Sequence, residues 1–189
     1  MSCSIEERLD EHGDVVDPRG NRPEPINPVR NRFPYCIVWV PIPLISWFFP
    51  FIGHIGIANS RGIIRDFSGS RRVNEDDMGF GWPLMYWQLD PRKVAGGAET
   101  FDRAISDAAE EYKDLTHNFI VRNCHSFVAR ALCLMAYNRR TNYNQVNLWC
   151  WMSVLRKPIG WFEFVLTWLP FVCILVFGGL LTAFFVFYA

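Results

Sequence analysis

From Phe164 to Ala189 the chain carries no charged residue, and the run FVLTWLPFVCILVFGGLLTAFFVFYA is 26 residues long. A helix needs roughly 20 apolar residues to cross about 30 Å of hydrocarbon. The segment is therefore expected to be a C-terminal transmembrane helix, long enough to tilt or to kink at Pro170. Trp161 and Trp168 stand toward its entry and Tyr188 near its far end, positions that suit indole and phenol rings at the headgroup level. A buried core helix is the competing reading, but the density of aromatics and the lack of a polar stripe oppose it. A short helical hairpin turning near Pro170 would leave too little length for two crossings.

The flanks imply an orientation. Arg139, Arg140, Arg156 and Lys157 precede the apolar run and nothing basic follows it, so the preceding residues are expected on the cytosolic side. Residues 1–32 are acidic and then Pro- and Arg-rich, without the apolar centre of a signal peptide, and read as a mobile arm. With 189 residues in all, the remainder (33–157) has room for one domain, and 158–189 serve as its membrane anchor. The formal net charge is zero, which gives no electrostatic case for nucleic acid. The six cysteines, at 3, 36, 124, 133, 150 and 173, form no C-x-x-C pair, and several lie in apolar runs, the usage of reduced, mostly buried thiols.

A second uncharged run, Tyr35–Ile57, is broken by Pro41, Pro43 and Pro50. Proline inside a helix costs about 3 kcal/mol, so this stretch is read as two strands, Tyr35–Val40 and His54–Ala58, around a loop. That loop, Leu44–Phe51, is unusually apolar and either packs under another element or rests on the membrane surface, the second being favoured by the nearby anchor. Were the run to cross the bilayer instead, the chain would be a polytopic channel or transporter. Asn59–Gly62 is a turn signal leading to a return strand around Ile63–Phe67. Residues 68–81 read as loop, and Leu84–Leu89 as another strand. Apolar residues at 101, 104, 105, 108, 112 and 115 predict an amphipathic helix over Thr100–Leu115. A second stripe predicts a helix over Cys124–Tyr137 with Asn123 as its N-cap. Residues 138–147 read as loop, and Trp149–Leu155 lead into the anchor.

Cys124 at the first turn of a helix meets unpaired backbone N–H groups and the positive end of the helix dipole, both of which favour thiolate. The bland alternative is that Cys124 is the first core residue of an apolar stripe. His54 begins a strand in an apolar stretch, where an imidazole needs a specific partner. Asp66 lies twelve residues on, on the return strand of the same hairpin, where it can hold the second ring nitrogen. Nucleophile, base and orienting carboxylate are thus Cys124, His54 and Asp66. His125 and His117 compete for the base; His125 is ranked lower because adjacent helical side chains diverge. The spacing of His117, Cys124 and His125 lacks the pairing of a zinc site, and neither metal nor cofactor is expected.

A strand histidine, a polar residue twelve on and an Asn-Cys helix start together resemble the circularly permuted papain-like (NlpC-type) thiol enzymes, including the lecithin–retinol acyltransferase-like and PPPDE groups. Asp66 stands where the acyltransferase-like group has a second histidine, and Asn123-Cys124-His125-Ser126-Phe127 stands for its Asn-Cys motif. Over nearly its whole length the chain resembles the transmembrane protein 222 / reversion-to-ethylene-sensitivity family, through Phe33–Trp39, Pro50–Ile57, Asp66-Phe67 and Asn123–Ala129. These resemblances imply an α+β, permuted papain-like domain in endoplasmic reticulum or Golgi membranes and, for plant members, promotion of ethylene-receptor signalling. The expected function is a cysteine-dependent hydrolase or acyltransferase acting on acylated membrane proteins or lipids, a thioesterase being the first guess. The alternative is a non-enzymatic regulator that binds membrane receptors.

Overall fold

The computed structural model describes residues 25–188, together with a two-residue strand pair at Arg8–Leu9 and Val15–Val16; the arm expected over 1–32 lies for the most part outside the described residues. Its centre is the uncharged run that a hydropathy window would mistake for a second crossing. Cys36–Pro41 (β1) and Gly53–Ala58 (β2) pair antiparallel, Val40 facing His54 and Ile37 facing Ile57. Both strands are buried almost throughout, as strands covered on two faces must be. Tyr35–Ile57 is thus strand, turn and strand. Among the described residues one helix is long and apolar enough to cross a membrane, and it lies elsewhere.

Around this pair grows a six-stranded antiparallel sheet. Ile64–Gly69 (β3), Arg72–Glu75 (β4), Met85–Gln88 (β5) and Lys157–Pro158 (β6) complete the order β4-β3-β2-β1-β5-β6. The turn between β2 and β3 is fixed by Asn59, whose Oδ1 accepts the N–H groups of Arg61 and Ile63. At Gly62 the backbone adopts φ +79, and a Cβ would come within 2.6 Å of Phe33 N, so only glycine fits. β4 falls in the stretch read as loop. It is an exposed edge strand, four polar or half-exposed residues long, and has no apolar alternation to betray it.

One face of the sheet is covered by Gly97–Tyr112 (α2), Cys124–Leu134 (α3) and Gln145–Leu155 (α4), which bury Phe101, Ile105, Phe127, Leu132, Leu148 and Met152 against Ile37, Trp39, Ile55 and Ile57. A smaller cluster on the other face gathers Phe33, Cys36, Val38, Ile64 and Met78. α2 starts three residues before the stripe suggested, and α3 stops three before Tyr137. α4 takes in only the end of the expected 138–147 loop, from Gln145 on. Asn144 caps it, accepting from Val146 and Asn147 N–H, and Asn147 reaches back to the Asn144 N–H.

The apolar loop holds a single helical turn, Ile45–Phe48 (α1). Buried Ser46 closes it: its hydroxyl accepts from Ile42 N–H at 2.7 Å and donates to the Ile52 carbonyl at 2.6 Å. Leu44, Trp47, Phe48, Phe49 and Phe51 are left exposed. α1 lies against Trp161–Tyr188 (α5), where Phe51 meets Trp168 edge-to-face at 5.6 Å. α5 runs unbroken through Pro170 for 28 residues, ~42 Å at 1.5 Å per residue. Arg156 joins these parts, stacking its guanidinium 4.2 Å over the Trp39 ring and donating to the Pro50 carbonyl at 2.9 Å. Burial lowers its pKa to about 10.

Trp39 is packed on Gly53, where an added Cβ would lie 2.3 Å from the indole. With Arg156 over its ring, the indole cannot retreat. Gly53→Ala is expected to destabilise the fold by about 1–3 kcal/mol, as overpacked cores do, measurable as a lowered denaturant midpoint by tryptophan fluorescence in detergent.

Candidate functional site

Strand alternation and the β2–β3 register bring His54 and Asp66 to one face. Ile57 faces Arg65, so the same register sets Gly56 opposite Asp66 and His54 two residues further on, with no side chain at 56 between them. His54 Nε2–H donates to Asp66 Oδ2 at 2.6 Å, and both residues are buried. Asp66 is held in turn by Asn74 Nδ2 (3.2 Å to Oδ1) and by the Gly79 N–H (3.3 Å to Oδ2), while the Phe80 ring lies 5.2 Å from the imidazole. β4 and the loop after it, neither readable as functional in the sequence, therefore supply the shell around the pair.

Cys124 opens α3 behind a complete capping box. Asn123 Oδ1 accepts the Ser126 N–H at 3.1 Å, and Ser126 Oγ accepts the Asn123 N–H at 2.9 Å. The cap fixes the first turn, and α3 packs across β2 and β3, so its start meets the start of β2. With Nε2 committed to Asp66, Nδ1 is the His54 nitrogen left to face sulfur, and His54 and Cys124 line the same cavity. Cys124 also meets a second imidazole: His125 Nδ1 lies 3.4 Å from Sγ. This corrects the expectation that His125 points away. First-turn side chains lean toward the helix N-terminus, so a long ring at 125 can fold back onto its neighbour. His117 lines the same cavity but packs its ring on Phe67 at 5.2 Å.

Burial alone would push the Cys124 thiol up, yet the His125 contact and the nearby His54 imidazole outweigh it and bring its pKa down to about 5. Burial would lower His54; its bond to Asp66 and the nearby Cys124 sulfur raise it to about 9. Both shifts run in the direction that favours thiolate beside imidazolium. Cys36 is the contrast: buried with its Sγ donating to the Pro34 carbonyl at 3.3 Å, it is pushed up to about 12. Among the described residues no cluster of three or more metal-binding side chains occurs.

The pair opens into a cavity of about 390 Å³ whose walls are mainly apolar, including Ile42, Ile52, Phe80, Ile120, Val146 and Trp149. Such an arrangement can support nucleophilic attack by sulfur on a carbonyl carried by an apolar group.

Fold and site together define a mixed α/β protein with an antiparallel sheet, a buried histidine–aspartate pair that shares a cavity with Cys124 and, among the described residues, one long apolar helix. Residues 27–97 and 93–155 match the RTE1-like family, and the chain belongs to it. It is 37% identical over 164 residues to the Arabidopsis thaliana protein Reversion-to-ethylene sensitivity1, an alignment covering 77% of this chain. The chain spans 66% of that relative's length. No solved structure matches it.

The two shifted pKa values set the pH profile. Thiolate is present above about 5, and an imidazolium able to protonate a leaving group is present below about 9. Alkylation of Cys124 by iodoacetamide is expected to rise through about pH 5 and then stay level. In His54→Ala the rise should move toward the ordinary thiol value of about 8.5; mass spectrometry of Cys124 against Cys150 at each pH checks it.

Proposed function

We propose that this chain modulates other membrane proteins and that acyl chemistry at Cys124 is its means. The two halves rest on different observations. Membership of the RTE1-like family, with a relative named for ethylene sensitivity, supports a regulatory role toward membrane receptors, and of the two halves this one has the firmer backing. The chemistry rests on a single observation: a thiol at a helix start shares a cavity with an imidazole whose Nε2 is held by a buried carboxylate.

In this reading the domain (33–157) has the permuted papain-like arrangement, supported by chain order, strand histidine before helix cysteine, and by the helix lying across an antiparallel sheet. Residues 158–189 anchor it in endoplasmic reticulum or Golgi membranes. The basic residues that precede α5 support a cytosolic position for the domain. Cys124 thiolate attacks the carbonyl carbon of a thioester or ester, forming a C–S bond. The backbone N–H of Cys124 is one candidate donor to the oxyanion. As the tetrahedral adduct collapses, the leaving thiol or alcohol takes the proton of His54 imidazolium. His54 then accepts a proton from water attacking the acyl-cysteine, and the acid leaves with Cys124 restored. Asp66 keeps the ring oriented throughout. An acylated membrane protein or a lipid is the substrate class that suits the apolar cavity.

An electrophilic acyl probe is expected to label Cys124 in preference to Cys133, and His54→Ala should slow labelling by about 100-fold or more. Equal rates at the two cysteines would remove the chemistry. The regulatory half has a separate readout, the S-acylation of membrane proteins in cells. Loss of the chain and Cys124→Ala should change it alike; if Cys124→Ala behaves as the unaltered chain, binding alone is the function.

A further inference from the structure

The cavity mouth carries an element that the acyl-transfer scheme leaves unused. Phe119, Ile120 and Val121 are 63%, 76% and 63% exposed, three large apolar side chains in a row. They form the tip of a tight turn closed by paired backbone bonds between Asn118 and Arg122 at 2.8 and 2.9 Å. Asn118 Oδ1 accepts from the Ile120 and Val121 N–H groups, Asn123 Nδ2 donates to the Phe119 carbonyl, and Gln145 Nε2 donates to the Ile120 carbonyl at 2.6 Å. Polar ties thus lie on the inside, apolar side chains on the outside. In water such a turn exposes apolar surface for nothing; in hydrocarbon, where backbone polar groups must find partners within the protein, it is well made.

The turn is not isolated. It shares the cavity mouth with Ile42 and Ile52, the two ends of the α1 loop, and that loop presents Trp47, Phe48 and Phe49 outward while lying against α5. The apolar surface therefore continues from α5 over α1 to the mouth and the turn.

We infer that the Phe119–Val121 turn is seated among the acyl chains of the bilayer that α5 enters, so that the cavity opens sideways into the leaflet and the acyl chain of a membrane-borne thioester or ester reaches Cys124 directly from it. This rests on reading α5 as a membrane helix and, for the acyl group, on the chemistry proposed for Cys124. A benzophenone residue introduced in place of Ile120, Arg103 or Phe177 of the full chain, in phosphatidylcholine nanodiscs, tests it. Lipid adducts are expected at 120 and 177 and not at exposed 103. Adducts at 177 without 120 overturn the inference and leave the anchor standing; adducts at neither position remove both. In native membranes, protein adducts at 120 in place of lipid would overturn it in favour of a protein partner. Val121→Asp, which places a charge on the turn, should lower the lipid adduct at 120 by about tenfold; an unchanged yield would also overturn it. None of these outcomes depends on turnover, so a chain that lacks acyl chemistry still decides the membrane contact.

Discussion

Two strands drawn from the most apolar part of the domain carry a histidine into the interior, and that histidine is tolerable there only because a carboxylate meets it at 2.6 Å. A buried imidazole without a partner is costly, and a buried carboxylate without one more so. Much of the local architecture answers to that requirement. The hairpin turn at Asn59–Gly62 sets the register, β4 brings Asn74, and the following loop brings the Gly79 N–H and the Phe80 ring. The helix start then meets the free side of the ring. With His125 against it and His54 nearby, the Cys124 thiol is drawn toward thiolate despite its burial, whereas Cys36, also buried but with no imidazole beside it among the described residues, is pushed up.

Much of this was legible along the chain, for local reasons. A twelve-residue separation spanning a glycine turn brings two positions to one face of a hairpin, and an Asn before an apolar stripe marks a helix start. The rest was hidden for reasons equally physical. β4 has no alternation because it is an exposed edge. α4 has apolar residues around most of its circumference, so no stripe separates it from the neighbouring loop. α1 is one turn long, below the length at which periodicity has meaning. The approach of His125 to sulfur depends on how side chains lean at a helix end, which sequence spacing does not express.

The regulatory and the chemical readings share one framework. A chain with a relative named for ethylene sensitivity need not lack chemistry, and a thiol with a depressed pKa need not turn over. The same cavity that could hold an acyl group could hold an apolar segment of a partner. What separates the two is whether sulfur forms a bond.

Between β6 and α5 stand only Ile159 and Gly160. Lys157 and Pro158 are already part of the sheet, paired with Tyr86 and Met85, and Arg156 is stacked on Trp39. The apolar helix therefore leaves the domain from a strand and not from a slack tether, with α1 braced along its side. Were α5 to cross a bilayer, such a joint would work as an axle and not a leash, leaving the sheet little freedom to rise or tip. Its depth would then be set once, by the fold.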